Sequence, residues 1–240
     1  MCIRDSPQVT PLNLPTEKKF RFLFVGGTIW RKGIDILLRA YVQAFSSKDE
    51  VVLVIKDIGQ DSFYKNQTAQ ALIEELRRNS QAPEILYLTD KLSEKEMAGL
   101  YRACHCLVHP YRGEGFCLPA LEAMACGIPV IVTQGGATDD FCSNEYSYLI
   151  PAKLQTFIPP PSLRLAGGKG LVLEPDLDAL RDLMRHVYEH YEEARQKGLK
   201  ASQYVYQEFT WHKIAEKIEE RIEALKYKPI LRFLKTKRYA

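Results

Sequence analysis

Phe20 to Val25 is a bulky apolar run that ends at Gly26-Gly27, and apolar positions then recur at helical spacing through Ile34, Leu37, Leu38, Tyr41, Val42 and Phe45. This change of period across a glycine pair predicts a strand, a tight turn and a helix. The alternation repeats: strand Val51 to Ile55, a helix carrying Leu72, Ile73 and Leu76, and strand Ile85 to Leu88. Ser93 with Glu96 has the capping-box spacing that opens a helix. Strand Cys104 to His109 leads through Arg112-Gly113-Glu114-Gly115-Phe116 into a short helix with Pro119 in its first turn, stopped by Gly127 and Pro129 before strand Val130 to Thr133. Strand-helix units whose strands are almost continuously apolar require a parallel sheet covered on both faces. The expected fold is therefore α/β, a Rossmann-like doubly wound parallel sheet with carboxyl-terminal helices.

Beyond Leu149-Ile150 the periodicity lapses. Residues 151 to 170, with Pro151, Pro159 to Pro161 and Gly167-Gly168, read as a loop or insertion before a strand at Leu171 to Leu173. Asp176 to Ala194, Gln196 to Glu208 and a segment capped by Thr210 read as consecutive helices. Residues 1 to 19 read as a non-native or linker segment, its opening Met1 to Ser6 resembling an adapter-derived prefix. Residues 20 to 225 form the domain and residues 226 to 240 a basic tail.

With 240 residues, 46% of them hydrophobic, the chain can bury one substantial core. No apolar run approaches the roughly 20 residues that cross a bilayer. A net charge of +3 from 33 basic and 30 acidic residues lacks the basic stripe of a nucleic-acid binder, so no nucleic-acid partner is expected. None of the six cysteines forms a CxxC pair, which argues against a structural metal. Reduced thiols in apolar surroundings and the lack of a secretory signal near the start point to the cytoplasm.

Three loops gather at the carboxyl ends of the expected strands, where a parallel sheet leaves its ligand crevice: the turn at Gly26-Gly27, the segment 110 to 117 and the turn at Gly135-Gly136. The amides of Gly115, Phe116 and Cys117 precede a helix whose dipole favours an anion, and phosphate is the natural occupant. Glu114 and Glu122 flank that pocket. Two carboxylates on either side of a phosphate site suit hydroxyl groups on both sides of a diphosphate, as in a nucleotide sugar. For any one of these residues alone, a glycine turn or a solvated acid is the simpler account.

The stretch from Phe24 to Asp35, with Gly26-Gly27 and Arg31-Lys32-Gly33, and the stretch from His109 to Ile131, with Gly113-Glu114-Gly115-Phe116-Cys117 and Pro119-Ala120-Leu121-Glu122-Ala123-Met124, closely resemble family 4 retaining glycosyltransferases. The resemblance covers roughly residues 20 to 225 and is to the carboxyl-terminal, donor-binding half of the two-domain GT-B architecture. It implies that Glu122 holds ribose hydroxyls, that Glu114 contacts the transferred sugar, that Gly115 to Cys117 meet the distal phosphate and that Lys32 neutralises the diphosphate. On that reading Glu114 and Lys32 are catalytic, no cofactor or metal is needed, and the donor is a UDP- or GDP-linked sugar. Retention by front-face displacement needs no protein nucleophile.

One position departs from the pattern. Many relatives carry arginine where this chain has Gly27, and Arg31, Arg112 or Lys56 is the expected substitute. Thr89-Asp90-Lys91-Leu92 falls where relatives hold the base. Asp176-Leu177-Asp178 has the spacing of a metal-binding DxD, but acids opening a helix cap it. His186 and His190 at helical spacing read as a surface face. The basic tail is read as one that could touch anionic lipid at the inner face of a membrane, with a solvated tail or a segment crossing back to the other domain as equal readings. The resemblance also implies an acceptor-binding domain on the amino side, so the chain is expected to be the donor half of a transferase whose acceptor is unknown. A GT-B-like epimerase or phosphorylase and a non-catalytic donor-binding module stay open as alternatives. An NAD oxidoreductase is disfavoured because the first turn lacks GxGxxG.

Overall fold

The computed structural model describes residues 9–58, 67–157 and 170–227. Phe20–Gly26 (β1), Val51–Asp57 (β2), Glu84–Leu88 (β3), Cys106–His109 (β4), Val130–Thr133 (β5) and Tyr148–Ile150 (β6) form one wholly parallel sheet in the order β3-β2-β1-β4-β5-β6. Alternate strand residues feed two separate cores, because successive side chains leave opposite faces of a strand. Phe20, Phe22 and Phe24 join Leu53, Ile55 and Val108 beneath Ile34–Ala44 (α1), Gln70–Arg78 (α2) and Leu177–Glu189 (α5). Leu23 and Val25 join Val52, Val54 and Leu107 beneath Glu94–Ala103 (α3), Leu118–Ala125 (α4) and Tyr191–Glu208 (α6). The doubly wound fold read from the hydrophobic pattern is the one observed. Strand order reverses between β1 and β4, so their carboxyl ends open the crevice of such a sheet.

Ser93 and Glu96 make the expected capping box at the start of α3. Asp176 caps α5, its Oδ1 accepting from the Ala179 amide at 2.9 Å, so the DxD spacing is a helix start as read. His186 and His190 stack at 4.7 Å on the surface.

Three expectations change. Residues 152 to 157 were expected to be loop; Ala152–Phe157 (β7) instead pairs antiparallel with Gly170–Pro175 (β8). Its side chains from Lys153 to Thr156 are exposed, so the ladder is held by backbone hydrogen bonds and leaves no apolar period to read. Pro159 to Pro161 and Gly167-Gly168 lie outside the described residues. The break between the first two terminal helices falls at His190, earlier than expected, because Tyr191 must turn inward to meet Phe20 at 5.3 Å and His105 at 5.1 Å. Residue 20 also falls inside a packed segment. Leu14 is buried against the α3 and α4 side, and the Leu12 amide donates to the Gly99 carbonyl at 2.9 Å.

Trp211–Lys226 (α7) has no buried residue. The basic tail lies outside the described residues from 228 onward. No helix among the described residues is long and apolar enough to cross a membrane.

The α6 helix lies directly on the turn after α4. A Cβ on Gly198 would sit 2.6 Å from the Gly127 carbonyl oxygen and 2.7 Å from the Pro129 nitrogen. Alanine gains up to about 1 kcal/mol of helix propensity over glycine, whereas overpacking against backbone costs about 1–3 kcal/mol. Gly198→Ala should therefore lower the urea midpoint, and a raised midpoint would show that α6 stands clear of the turn.

His105 and His109 bracket β4, and burial, followed by the nearby cations Arg21 and Lys32 respectively, holds both imidazoles down at about 4. The unfolded chain binds those protons near 6.5, so it takes up more protons than the native state between the two values, and stability declines as pH falls from about 6.5 toward 4. Chemical denaturation at pH 6.5 and pH 5 should show that decline. His105→Gln combined with His109→Gln should remove most of it, and an unchanged slope in the double variant would refute the assignment.

Candidate functional site

The loop after β1 reaches the loop after β4 only because glycine stands at two positions. Gly33, at φ 74°, ends the short turn Trp30–Lys32, and a Cβ there would lie 1.8 Å from the Pro110 carbonyl oxygen. Gly26, at φ 152°, leaves room for the Lys32 stem, whose Cδ would sit 3.0 Å from a Cβ. Backbone bonds then stitch the loops together: the Arg112 amide donates to the Arg31 carbonyl at 2.8 Å, and the Arg31 guanidinium donates to the Gly113 carbonyl. Lys32 Nζ meets Glu114 Oε1 in a direct ion pair with both side chains nearly covered, and Arg31 Nη1 stands 3.6 Å from Glu114 Oε2.

A cavity of about 850 Å³ opens over this pair. Gly26, Lys32 and Lys56 line it from the ends of β1 and β2. Glu114, Gly115, Phe116, Cys117 and Glu122 line it from the loop after β4 and from α4. Lys32, Glu114, Gly115 to Cys117 and Glu122 are thus brought together, whereas Gly27, Arg31, Arg112 and the expected third loop, the Gly135-Gly136 turn, do not line the cavity. The amides of Gly115, Phe116 and Cys117 donate no hydrogen bond among the described residues. Cys117, the one non-glycine residue among them with positive φ, at 68°, turns the chain into the amino end of α4. That conformation is costly for a side-chain-bearing residue and marks a position held by its surroundings. Burial pushes its thiol up to about 12, so it is not a thiolate nucleophile.

The two acids differ. Burial works against the charge of Glu114, but the hydrogen bond from Lys32, with Arg31 adding its charge, holds the carboxyl below the usual range. Burial pushes Glu122 up, opposed in part by the Tyr101 hydroxyl donating to Oε2 at 2.8 Å. One carboxylate is firmly ionised and salt-linked; the other is desolvated and hydrogen-bonded. A cation, a row of amides at a helix start and two such acids can hold an anion and accept hydrogen bonds from hydroxyls beside it.

Arg112, expected as a phosphate partner, is placed elsewhere. Its Nε and Nη2 donate to Glu174, its Nη1 and Nη2 donate to Asp35, and Nη1 also donates to the Trp30 carbonyl, all at 2.7–2.9 Å. With every donor used, it ties α1 and β8 to the loop that carries Glu114. Sequence reasoning missed this anchor, as it missed Tyr101 behind Glu122 and the buried Asp57, which accepts from Thr28 Oγ1 at 2.7 Å and Tyr87 at 2.6 Å. These partners are 21 to 77 residues apart, and no local pattern announces them. Among the described residues no group of three or more His, Cys, Asp or Glu is close enough to hold a metal.

The family of glycosyl transferases group 1 matches residues 10–156. An uncharacterized glycosyltransferase of Methanocaldococcus jannaschii is 34% identical over 141 residues, covering 58% of this chain and 36% of the relative. The O-antigen chain mannosyltransferase B of Escherichia coli is 29% identical over 175 residues, covering 70% of this chain and 38% of the relative. Among solved structures, Anabaena HepE in complex with UDP-glucose superposes with a TM-score of 0.65 at 17% identity, covering 85% of this chain and 49% of that one. The carboxyl-terminal domain of LpcC from Francisella tularensis superposes at 0.61 and 18% identity, covering 86% of this chain and 98% of that one. The chain spans little more than a third of the curated relatives and about half of the first of these structures. From the sequence match and the shared GT-B-type fold, the chain belongs to the glycosyl transferases group 1 family.

Proposed function

We propose that the cavity binds a nucleotide-diphosphate sugar and that the chain is the donor-binding, carboxyl-terminal half of a retaining, family 4 hexosyltransferase. The observation that carries this reading is that Lys32, the amides of Gly115 to Cys117, Glu114 and Glu122 share one cavity at the β1/β4 crevice. HepE, with the same fold, binds UDP-glucose, and the Escherichia coli relative is a mannosyltransferase; both support a hexosyl donor.

A diphosphate entering between Lys32 and the amides competes with Glu114 for the ammonium. Once Lys32 turns to the phosphate, the Glu114 oxygens are released to accept from sugar hydroxyls. As the sugar leaves, charge builds on the diphosphate, and Lys32 with the amino end of α4 offsets it. This supply of positive charge supports a metal-independent reaction. No side chain here is a ready nucleophile: Glu114 is salt-linked, the Cys117 thiol stays protonated and His109 is neutral behind Gly26. Glu122, on the helix after the amides, accepts from ribose hydroxyls while Tyr101 holds its carboxylate. The acceptor and the amino-terminal domain that binds it belong to the rest of the enzyme, which works in the cytoplasm.

Calorimetry with UDP- and GDP-linked hexoses tests the binding. Hydrogen bonds to charged groups contribute about 1.5–3 kcal/mol, so Glu122→Ala and Lys32→Ala should each weaken binding at least tenfold; tight binding that survives both would overturn the assignment. The chain alone should transfer sugar poorly until an amino-terminal acceptor domain is added. Efficient transfer by these residues alone would contradict the half-enzyme reading.

A further inference from the structure

Lys56 is a buried cation that makes no ion pair among the described residues. On β2 it continues the row Val52, Val54 that faces α3 and α4, and it is the point where that row emerges into the cavity. Only 3% of the residue is exposed. Its Nζ donates to the Asp57 carbonyl at 2.9 Å. The adjacent Asp57 carboxylate is committed to Thr28 and Tyr87. An ammonium has three protons to donate, and burying one with donors unused is costly unless an acceptor arrives.

The sheet register shows which end of the cavity Lys56 serves. Lys56 pairs with Leu88 of β3, the residue before Thr89. Burial pulls its affinity for a proton down, opposed by the charges of Asp57 and Asp90. Lys56 therefore belongs to the end walled by Thr89, Leu92, Met97 and Ile58. Lys91 and Glu94 also line that end, and Ile58, Leu92 and Met97 give it the apolar surface that can cover a planar ring, with Lys56 as a buried donor beside it.

Resting on the nucleotide-sugar reading, we propose that Lys56 is a specificity-determining residue that donates to the C4 carbonyl of uracil or the C6 carbonyl of guanine, so that the cavity selects these bases over cytosine or adenine, which carry an amino group at that position. A carbonyl accepts from the ammonium, whereas an exocyclic amino group at the same place sets donor against donor and leaves both unpaired. Sites that hydrogen-bond one group discriminate strongly against analogues lacking it, because the buried partner is then left unsatisfied.

The test is calorimetric titration of the whole chain with UDP against CDP and GDP against ADP, which exchange a carbonyl for an amino group at C4 and C6 respectively, with IDP added because guanine alone also carries a 2-amino group. The wild-type chain should bind UDP, GDP or both at least tenfold more tightly than the amino counterpart. Lys56→Met keeps the stem in its apolar row and removes only the charge, so thermal unfolding should show it at least as stable as the wild type. In that variant the preference should shrink below threefold, because UDP and GDP lose their donor while CDP and ADP are freed of an opposed one and bind no more weakly than before. Equal loss for all five nucleotides, together with weaker binding of inorganic pyrophosphate, would make Lys56 a phosphate partner and overturn the proposal. So would a wild-type chain that binds the five without preference. If the wild type binds none of them, the nucleotide-sugar reading itself fails.

Discussion

The ion pair between Lys32 and Glu114 joins the two halves of the sheet at the place where strand order reverses. Each partner comes from a different loop, one leaving β1 and one leaving β4, and neither loop has its position set by local structure alone. A charged pair this well covered is stable only where its geometry is enforced. Gly33 supplies that enforcement by letting the first loop touch the Pro110 carbonyl, and Gly26 does so by clearing space for the lysine stem. Lose the close approach and the cavity loses Lys32 and the acid paired with it.

Around that pair the fold spends its rigid parts on holding loops. Arg112 uses every donor it has to bind α1 and β8 to the segment that carries Glu114, so the β7-β8 hairpin works as a brace for the site. The Leu173 amide adds a bond to the Arg112 carbonyl at 2.9 Å, and its side chain packs against the Gly135-Gly136 turn. Tyr101 performs a similar service from α3, reaching across to Glu122 on α4. The acids that face the cavity are thus oriented by residues from other layers of the structure, in keeping with the need to hold a binding constellation rigidly before the ligand arrives.

Electrostatics divides the cavity into two ends. At one, Lys32, Arg31 and the amino end of α4 gather positive potential around an ionised Glu114. At the other, the buried ammonium of Lys56 stands beside Asp57 and Asp90, with Leu92 and Met97 on the same wall. Between them Glu122 is desolvated but hydrogen-bonded.

Much of this was legible in the chain itself. Apolar strands broken by glycine turns and followed by helical periods demand a covered parallel sheet, because such strands have no face that tolerates water. Ser93 with Glu96, Asp176 and Thr210 declared helix starts through chemistry contained within four residues. The order of the loops placed Lys32, Glu114 and Glu122 near one crevice, since strand ends in a parallel sheet share an edge. What the sequence could not decide was which charges find partners. Arg31, Lys56 and Arg112 are equally plausible phosphate partners on paper, yet the folded chain spends Arg112 on Asp35 and Glu174, sets Arg31 beside Glu114 and buries Lys56 in the cavity wall. The β7 strand was equally hidden, because its ladder depends on backbone groups and a partner strand more than a dozen residues away. Local patterns report how a segment meets water; pairing across the fold depends on distances that exist only once the segments have been packed together.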